Sequence, residues 1–196
     1  MPMPDAVHDA PFVGATRRNM KASTRSQESS PFWRFSLGFY RQPGIAEVCI
    51  DLQERAGIDV NLLLFLLWQA TLRRAVCVHE IEALEARIAP WRLATVVPLR
   101  SIRRALKSPP ALVPAGTAEL FRNKIKAVEL EAERLQQEAM HALAAASPLG
   151  REARFPDEAA RANIANYATV ARAVFPERTV EVLLAALEKP RAQQEE

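Results

Sequence analysis

The feature that most constrains this chain is the apolar run from Leu62 to Trp68, which follows Asp59 closely. Aspartate is a favoured residue just before a helix, because its carboxylate accepts hydrogen bonds from free backbone amides. We therefore predict a helix from Val60 to about Arg74. A helix that is apolar on nearly every side must be covered by other elements on most sides. Phe65 and Leu66 are accordingly predicted to lie inside a core.

Composition extends this prediction to the whole chain. Only six of the 196 residues are glycine, whereas alanine and leucine, which favour helices, are abundant. The predicted fold class is all-α, a compact multi-helix bundle of about seven to eight helices. We predict a disordered tail over residues 1–30 and a helical core domain over 31–146. Residues 147–196 are predicted to form a linker, a C-terminal helical hairpin and a short polar tail.

Capping and breaking residues predict where the first helices begin and end. Ser30 followed by Pro31 is typical of a helix start. Gly57 is placed to end the second helix, since glycine readily adopts the left-handed conformation needed there. Proline interrupts the middle of the chain. A short helix is predicted over His79–Ile88, and Pro98 is predicted to restart or kink the next helix.

A long helix is predicted from Thr117 to about Leu143. Its apolar residues recur at alternating steps of three and four, which predicts a buried seam. The members of this seam are Phe121, Ile125, Val128, Ala132, Leu135 and Ala139.

A basic stripe is the sharpest candidate binding site in the sequence. It consists of Arg100, Arg103, Arg104 and Lys107, which share one face of a helix at spacings i, i+3, i+4 and i+7. On the opposite face, Leu99, Ile102 and Leu106 are predicted to pack inward, which leaves Arg103 facing water. Converging donors of this kind bind phosphate groups, nucleic acid or an acidic protein surface. The alternative is a solvated stripe that pairs with acidic residues of the long helix, such as Glu129 or Glu133.

Signatures of catalysis are absent from the sequence. It contains no glycine-rich phosphate loop, no HExxH motif and no nucleophile elbow, and its three histidines have no ligand spacing. We therefore predict no catalytic residue, no metal ligand and no cofactor, and an enzyme is the less favoured class. A candidate polar pocket is formed by Gln53, Asn61 and Gln69, which stand beside or on the apolar helix. Asp51 is a further candidate for that pocket.

Several segments together resemble a known family. They are FWRFSLGFY, PGIAEVCIDLQ, GIDVNLLLFLLW, the single Trp91, VVPLRSIRRALK and VELEAERLQQ. Over residues 32–137 the chain resembles an uncharacterised proteobacterial helical family, domain of unknown function 2390. The resemblance implies a compact helical domain in the bacterial cytoplasm and carries no activity with it.

Three functions are consistent with these patterns. The first is a non-enzymatic protein-interaction or adaptor module, which implies a protein partner. The second is a nucleic-acid or phosphate-ligand binder that uses the basic stripe, and the third is a small helical enzyme. No segment is long and apolar enough to be a transmembrane helix. Cys49 and Cys77 are expected to be free thiols, and we predict a cytoplasmic location.

Overall fold

The computed structural model of the chain describes residues 29–188. These residues form α1 (Pro31–Tyr40), α2 (Ile45–Ala56), α3 (Val60–Thr71), α4 (Val78–Trp91), a π-helical turn (Arg92–Val96), α5 (Val97–Ala105), α6 (Ala115–Ala146), α7 (Pro156–Ala171) and α8 (Glu177–Glu188), with two short strands, β1 (Arg74–Ala75) and β2 (Arg151–Glu152). The predicted all-α bundle is confirmed. The predicted tails before residue 29 and after residue 188 lie outside the described residues.

Helix α3 forms the centre of the core. All ten side chains from Asn61 to Ala70 are buried, including those of Phe65 and Leu66, as predicted. Its contacts are most extensive with α7, and α1, α2, α6 and β1 also pack against it. Within the described residues, no helix combines the length and the hydropathy needed to cross a bilayer.

The predicted capping residues start and stop the first three helices. The Ser30 hydroxyl accepts a hydrogen bond from the backbone amide of Trp33 at 3.1 Å. Gly57 ends α2 with a φ of 66°, a left-handed conformation that costs glycine little. The Asp59 carboxylate accepts from the amide of Asn61 at 2.9 Å and caps α3.

The predicted end of the fourth helix at Ile88 is wrong, whereas the predicted restart at Pro98 agrees with the start of α5 at Val97. Helix α4 runs through Pro90, and the π-helical turn joins it directly to α5. Proline has no backbone N–H, so a helix that contains one must lose a hydrogen bond or change its winding. The turn ends with a bond from the amide of Val97 to the carbonyl of Arg92, and Pro98 follows at once. The backbone is therefore helical without interruption from Val78 to Ala105, with π-helical winding between Arg92 and Val96.

The predicted long helix is confirmed, but the predicted burial of its apolar seam is wrong. Phe121, Val128 and Leu135 are 51%, 52% and 42% exposed. The side of α6 that faces the bundle is instead largely polar. It buries Glu129, Gln136 and Gln137 beside Ala132 and Met140.

The segment predicted as a linker contains β2, which pairs with β1 in an antiparallel ribbon. Asn163 of α7, fully buried, fixes the chain next to this ribbon. Its amide oxygen accepts from the amide of Val76 at 2.7 Å, and its amide nitrogen donates to the carbonyls of Leu66 and Arg74. These bonds join α7 to the middle of α3 and to the segment that contains β1.

Gly150 of the ribbon has no room for a side chain. It adopts a φ of 71°, and an added Cβ would lie 2.7 Å from the carbonyl oxygen of Ala75. We expect Gly150→Ala to lower the free energy of unfolding by about 1–3 kcal/mol, because both backbone strain and a backbone contact oppose the methyl group. Chemical denaturation will measure this. The control is Gly116→Ala in α6, where a Cβ meets nothing within 4 Å, and an equal loss there would contradict the explanation.

Candidate functional site: the polar cluster and cleft beside the π-helical turn

A polar cluster is formed by Asp59, Glu85, Arg92, Gln136 and Tyr167. It is centred on the carboxylate of Asp59, whose side chain is only 6% exposed. One oxygen caps α3. The other accepts hydrogen bonds from the guanidinium of Arg92 at 2.7 Å and from the side-chain amide of Gln136 at 2.8 Å. The backbone amide of Asp59 donates to the hydroxyl of Tyr167 at 3.0 Å. One residue thus joins α3 to the π-helical turn, α6 and α7.

Arg92 connects Asp59 to a second carboxylate. Its guanidinium binds both oxygens of Glu85, with one of these bonds at 2.9 Å. The hydrogen bonds to Glu85 and Asp59 raise the pKa of Arg92, and they outweigh the opposing effect of burial. Arg92 therefore stays charged and holds two acidic side chains together.

A second group of charges lies between α5 and α6. Arg100 donates to Glu129 at 3.1 Å and to Glu133 at 2.6 Å, and Arg103 binds both oxygens of Glu129. Burial raises the pKa of Glu133. Burial also acts to raise the pKa of Glu129, but the hydrogen bonds from Arg103 and Arg100 outweigh it and hold that pKa below its ordinary value.

An open cleft of about 350 Å³ lies beside these charges. It is bounded by the turn between α2 and α3 on one side and by the π-helical turn and α5 on the other. The residues that line it are Gln53, Gly57, Ile58, Asp59, Arg92, Val96, Val97, Arg100, Ser101 and Arg104. Three guanidinium groups therefore line one space, together with the hydroxyl of Ser101 and the side-chain amide of Gln53, which can donate hydrogen bonds.

The family of this chain follows from its sequence match. Residues 31–140 match the model of the family described as Protein of unknown function (DUF2390). The chain belongs to this family. The comparison with curated proteins found no match, and the comparison with solved structures found none.

The polar cluster lies almost wholly inside the part of the chain that defines the DUF2390 family. Asp59, Glu85, Arg92 and Gln136 all fall within the matched residues. Tyr167, which supports the backbone of Asp59 from α7, lies beyond them. The cluster is thus built on the family region and supported by the helices that follow it.

The basic stripe does not face water as predicted. The side chains of Arg100 and Arg103 are only 20% and 22% exposed, because they turn towards α6. Their predicted alternative contacts with Glu129 and Glu133 are confirmed. Arg104 is half-exposed and pairs with Glu54 of α2 at 2.8 Å.

Lys107, the last member of the stripe, is exposed as predicted, whereas the apolar face opposite the stripe is not fully buried. Lys107 lies beyond the end of α5, and no side chain of α5 is fully buried. Ile102 is 45% exposed, so its predicted inward packing is wrong. The cause is the position of α5, which packs on α6 by its charged side. A role of these four basic residues in binding stays a prediction.

The three residues of the predicted polar pocket lie apart. Gln53 lines the cleft. Asn61 is buried and accepts a hydrogen bond from Gln137 at 2.7 Å. Gln69 lines a different cavity of about 330 Å³ at the opposite end of α3, and Asp51 pairs with Arg55 on the surface.

Sequence reasoning missed Glu85 and Gln136 as partners in the polar cluster. The spacing between Glu85 and Arg92 is seven residues, two helical turns, which puts both on one face. That signal was available in the sequence. The contacts of Asp59 with Arg92 and Gln136 join residues 33 and 77 positions apart, and no local pattern indicates them.

The ion pairs of Glu129 predict a specific response to acid. Because its pKa is lowered, its contribution to stability is present above its ordinary pKa and is lost as the pH falls through the folded-state value. We expect Glu129→Gln to lower the free energy of unfolding by about 1–3 kcal/mol near neutral pH, since a neutral amide replaces the carboxylate that two arginines share. That difference should shrink as the pH falls below about 4.

Urea denaturation over a range of pH checks this response. The comparison is made in a Glu133→Gln background, because the raised pKa of Glu133 acts in the opposite direction on acidification. Glu119→Gln is the control, since Glu119 is exposed and pairs with Arg122 of the same helix. A difference between the Glu129 variant and its parent that is constant with pH would refute the assigned role.

Proposed function

We propose that this DUF2390 chain is a non-enzymatic protein-interaction module that acts in the cytoplasm. The observation that carries the proposal is the uneven distribution of exposed apolar side chains. Of the sixteen large apolar residues that are exposed in the described part of the chain, eleven lie between Trp91 and Leu135. Exposed apolar area concentrated in this way is characteristic of interaction surfaces. The free thiols of Cys49 and Cys77 fit a reducing compartment.

The proposed docking surface is an outer apolar face, defined as Trp91, Ile102, Phe121, Val128 and Leu135. Each of these side chains is 40% to 52% exposed. The indole of Trp91 donates to the carbonyl of Ala132 at 3.0 Å, which places Trp91 beside the apolar seam of α6. Ile102 lies two positions from Arg100 and two from Arg104, both of which face the cleft, so it points to the opposite side of α5.

A charge placed at the middle of the outer apolar face tests the proposal. We expect Val128→Glu to reduce the recovery of co-purifying proteins about ten-fold or more, because a carboxylate at the centre of an apolar interface must be desolvated. Affinity purification followed by mass spectrometry, with and without nuclease, measures the recovery. Val174→Glu is the matched control, since Val174 is 83% exposed and lies in the turn between α7 and α8.

Circular dichroism on both variants establishes that the helices are retained. Recovery of the same proteins with all three chains would refute the outer apolar face as a docking surface. Release of these proteins by nuclease would favour the nucleic-acid function instead.

A second candidate function is the binding of a phosphate-bearing ligand in the cleft. Arg92, Arg100 and Arg104 all line this space, and Ser101 and Gln53 add uncharged donors. Each arginine already has a carboxylate partner, but a guanidinium has five N–H donors and can bind a further anion. Nucleic-acid binding through the basic stripe is less favoured, because Arg100 and Arg103 turn towards α6.

Titration with pyrophosphate tests the cleft. We expect Arg104→Gln to weaken binding about three- to ten-fold, because Arg104 is the most exposed of the three guanidinium groups. Calorimetry at two salt concentrations measures the change, and binding should weaken as salt rises. Arg178→Gln on α8 is the control for general surface charge. Equal effects of the two substitutions would refute the cleft as the site.

A further inference from the structure

Helix α5 and the first half of α6 form an arm with almost no core of its own. Helix α5 packs extensively only against α6 and the π-helical turn. Over residues 97–128, Ala118 alone is fully buried. Two helices cannot enclose an apolar interior between them, and stable helical architectures cover each apolar face with further elements. The arm therefore lacks a covering layer on its apolar side.

The apolar row of α6 has the spacing of a helix that packs against another helix. Phe121, Ile125, Val128, Ala132, Leu135 and Ala139 follow one another at steps of four, three, four, three and four residues. This is the heptad pattern by which helices interlock over several turns. Within the chain, only Ala132 of this row is fully buried. The heptad pattern is complete in the sequence, but four of its six residues are exposed in the fold.

We propose that a second copy of this chain covers the outer apolar face. The two arms pack around a two-fold axis at Val128, with their α6 helices antiparallel, and form an intermolecular four-helix bundle. This inference rests on the proposed function and names the partner of the same face. An isologous contact of this kind matches like with like, so the apolar row of one copy meets the apolar row of the other.

The charges beside the row favour an antiparallel arrangement. Lys124 and Glu131, both exposed, flank the row on its outer side. An axis at Val128 brings Lys124 of one copy to Glu131 of the partner subunit, and symmetry repeats the contact. A parallel pair would instead set this flank against the opposite flank of the partner's row, where Glu129 of the partner subunit is already bound by two arginines of its own chain. Glu131 also accepts from Arg134 of its own helix, an exposed pair that does not prevent a further contact.

The same axis matches the sizes of the apolar side chains. It places the large ring of Phe121 opposite Leu135 of the partner subunit, seven residues on either side of Val128. Helix α6 has 32 residues and is therefore about 48 Å long, so the whole row fits along one helix pair.

Sedimentation equilibrium on the full chain tests the inference. We expect the wild-type chain to sediment as a dimer and Val128→Glu as a helical monomer, because the substitution sets two carboxylates against each other at the axis. Val174→Glu, remote from the arm, is expected to remain a dimer. A wild-type chain that is monomeric at every concentration, or a Val128→Glu chain that is still dimeric, would overturn the proposal.

Charge exchange tests the antiparallel orientation. We expect Lys124→Glu and Glu131→Lys each to weaken the dimer about two- to ten-fold, since exposed ion pairs contribute little individually. The double variant is expected to restore the wild-type dissociation constant, because both symmetric contacts are re-formed with the charges reversed. A double variant weaker than either single variant would overturn the antiparallel arrangement.

These experiments can refute the proposed dimer and the proposed function independently of each other. A monomeric wild-type chain that still loses its co-purifying proteins on Val128→Glu refutes the second copy and supports a different partner on the outer apolar face. A dimer disrupted by Val128→Glu, with co-purifying proteins unchanged, supports the second copy and refutes that face as the site for other proteins.

Discussion

The carboxylate of Asp59 is the interaction on which the arrangement of the helices depends. A buried aspartate is unfavourable unless hydrogen bonds replace the water that it loses. Here the backbone of α3, the guanidinium of Arg92 and the amide of Gln136 supply them. Each donor comes from a different element. The requirement to satisfy one charge therefore fixes how α3, the π-helical turn and α6 approach each other.

The same requirement explains why α6 turns a polar side towards the bundle. Removing one partner from a buried charged pair leaves the other uncompensated, at a cost of about 3–5 kcal/mol. Arg100 and Arg103 of the arm need carboxylate partners, and Glu129 and Glu133 of α6 supply them. The side of α6 that faces the bundle cannot also face solvent. Because the charged side faces inward, the apolar row is left on the outside.

How much was predictable depends on the range of the interaction concerned. The starts of α1 and α3 and the end of α2 were predicted, because Ser30, Asp59 and Gly57 act on neighbouring backbone groups. The orientation of α5 and α6 was not. Both helices have an apolar and a charged side, and periodicity alone does not say which side meets the bundle. Only the acceptors on α6, more than twenty positions away along the chain, decide it.

The packing of the C-terminal helices is a second feature that sequence patterns alone do not predict. The apolar run of α3 predicts that something covers it, but it does not identify the cover. The most extensive cover is α7, which lies beyond the residues that match the DUF2390 family. The fully buried Asn163 donates to the carbonyls of Leu66 and Arg74 and accepts from the backbone amide of Val76. The family region is therefore not a closed core in this chain, since the polar ends of α3 and its apolar side are both completed from α7.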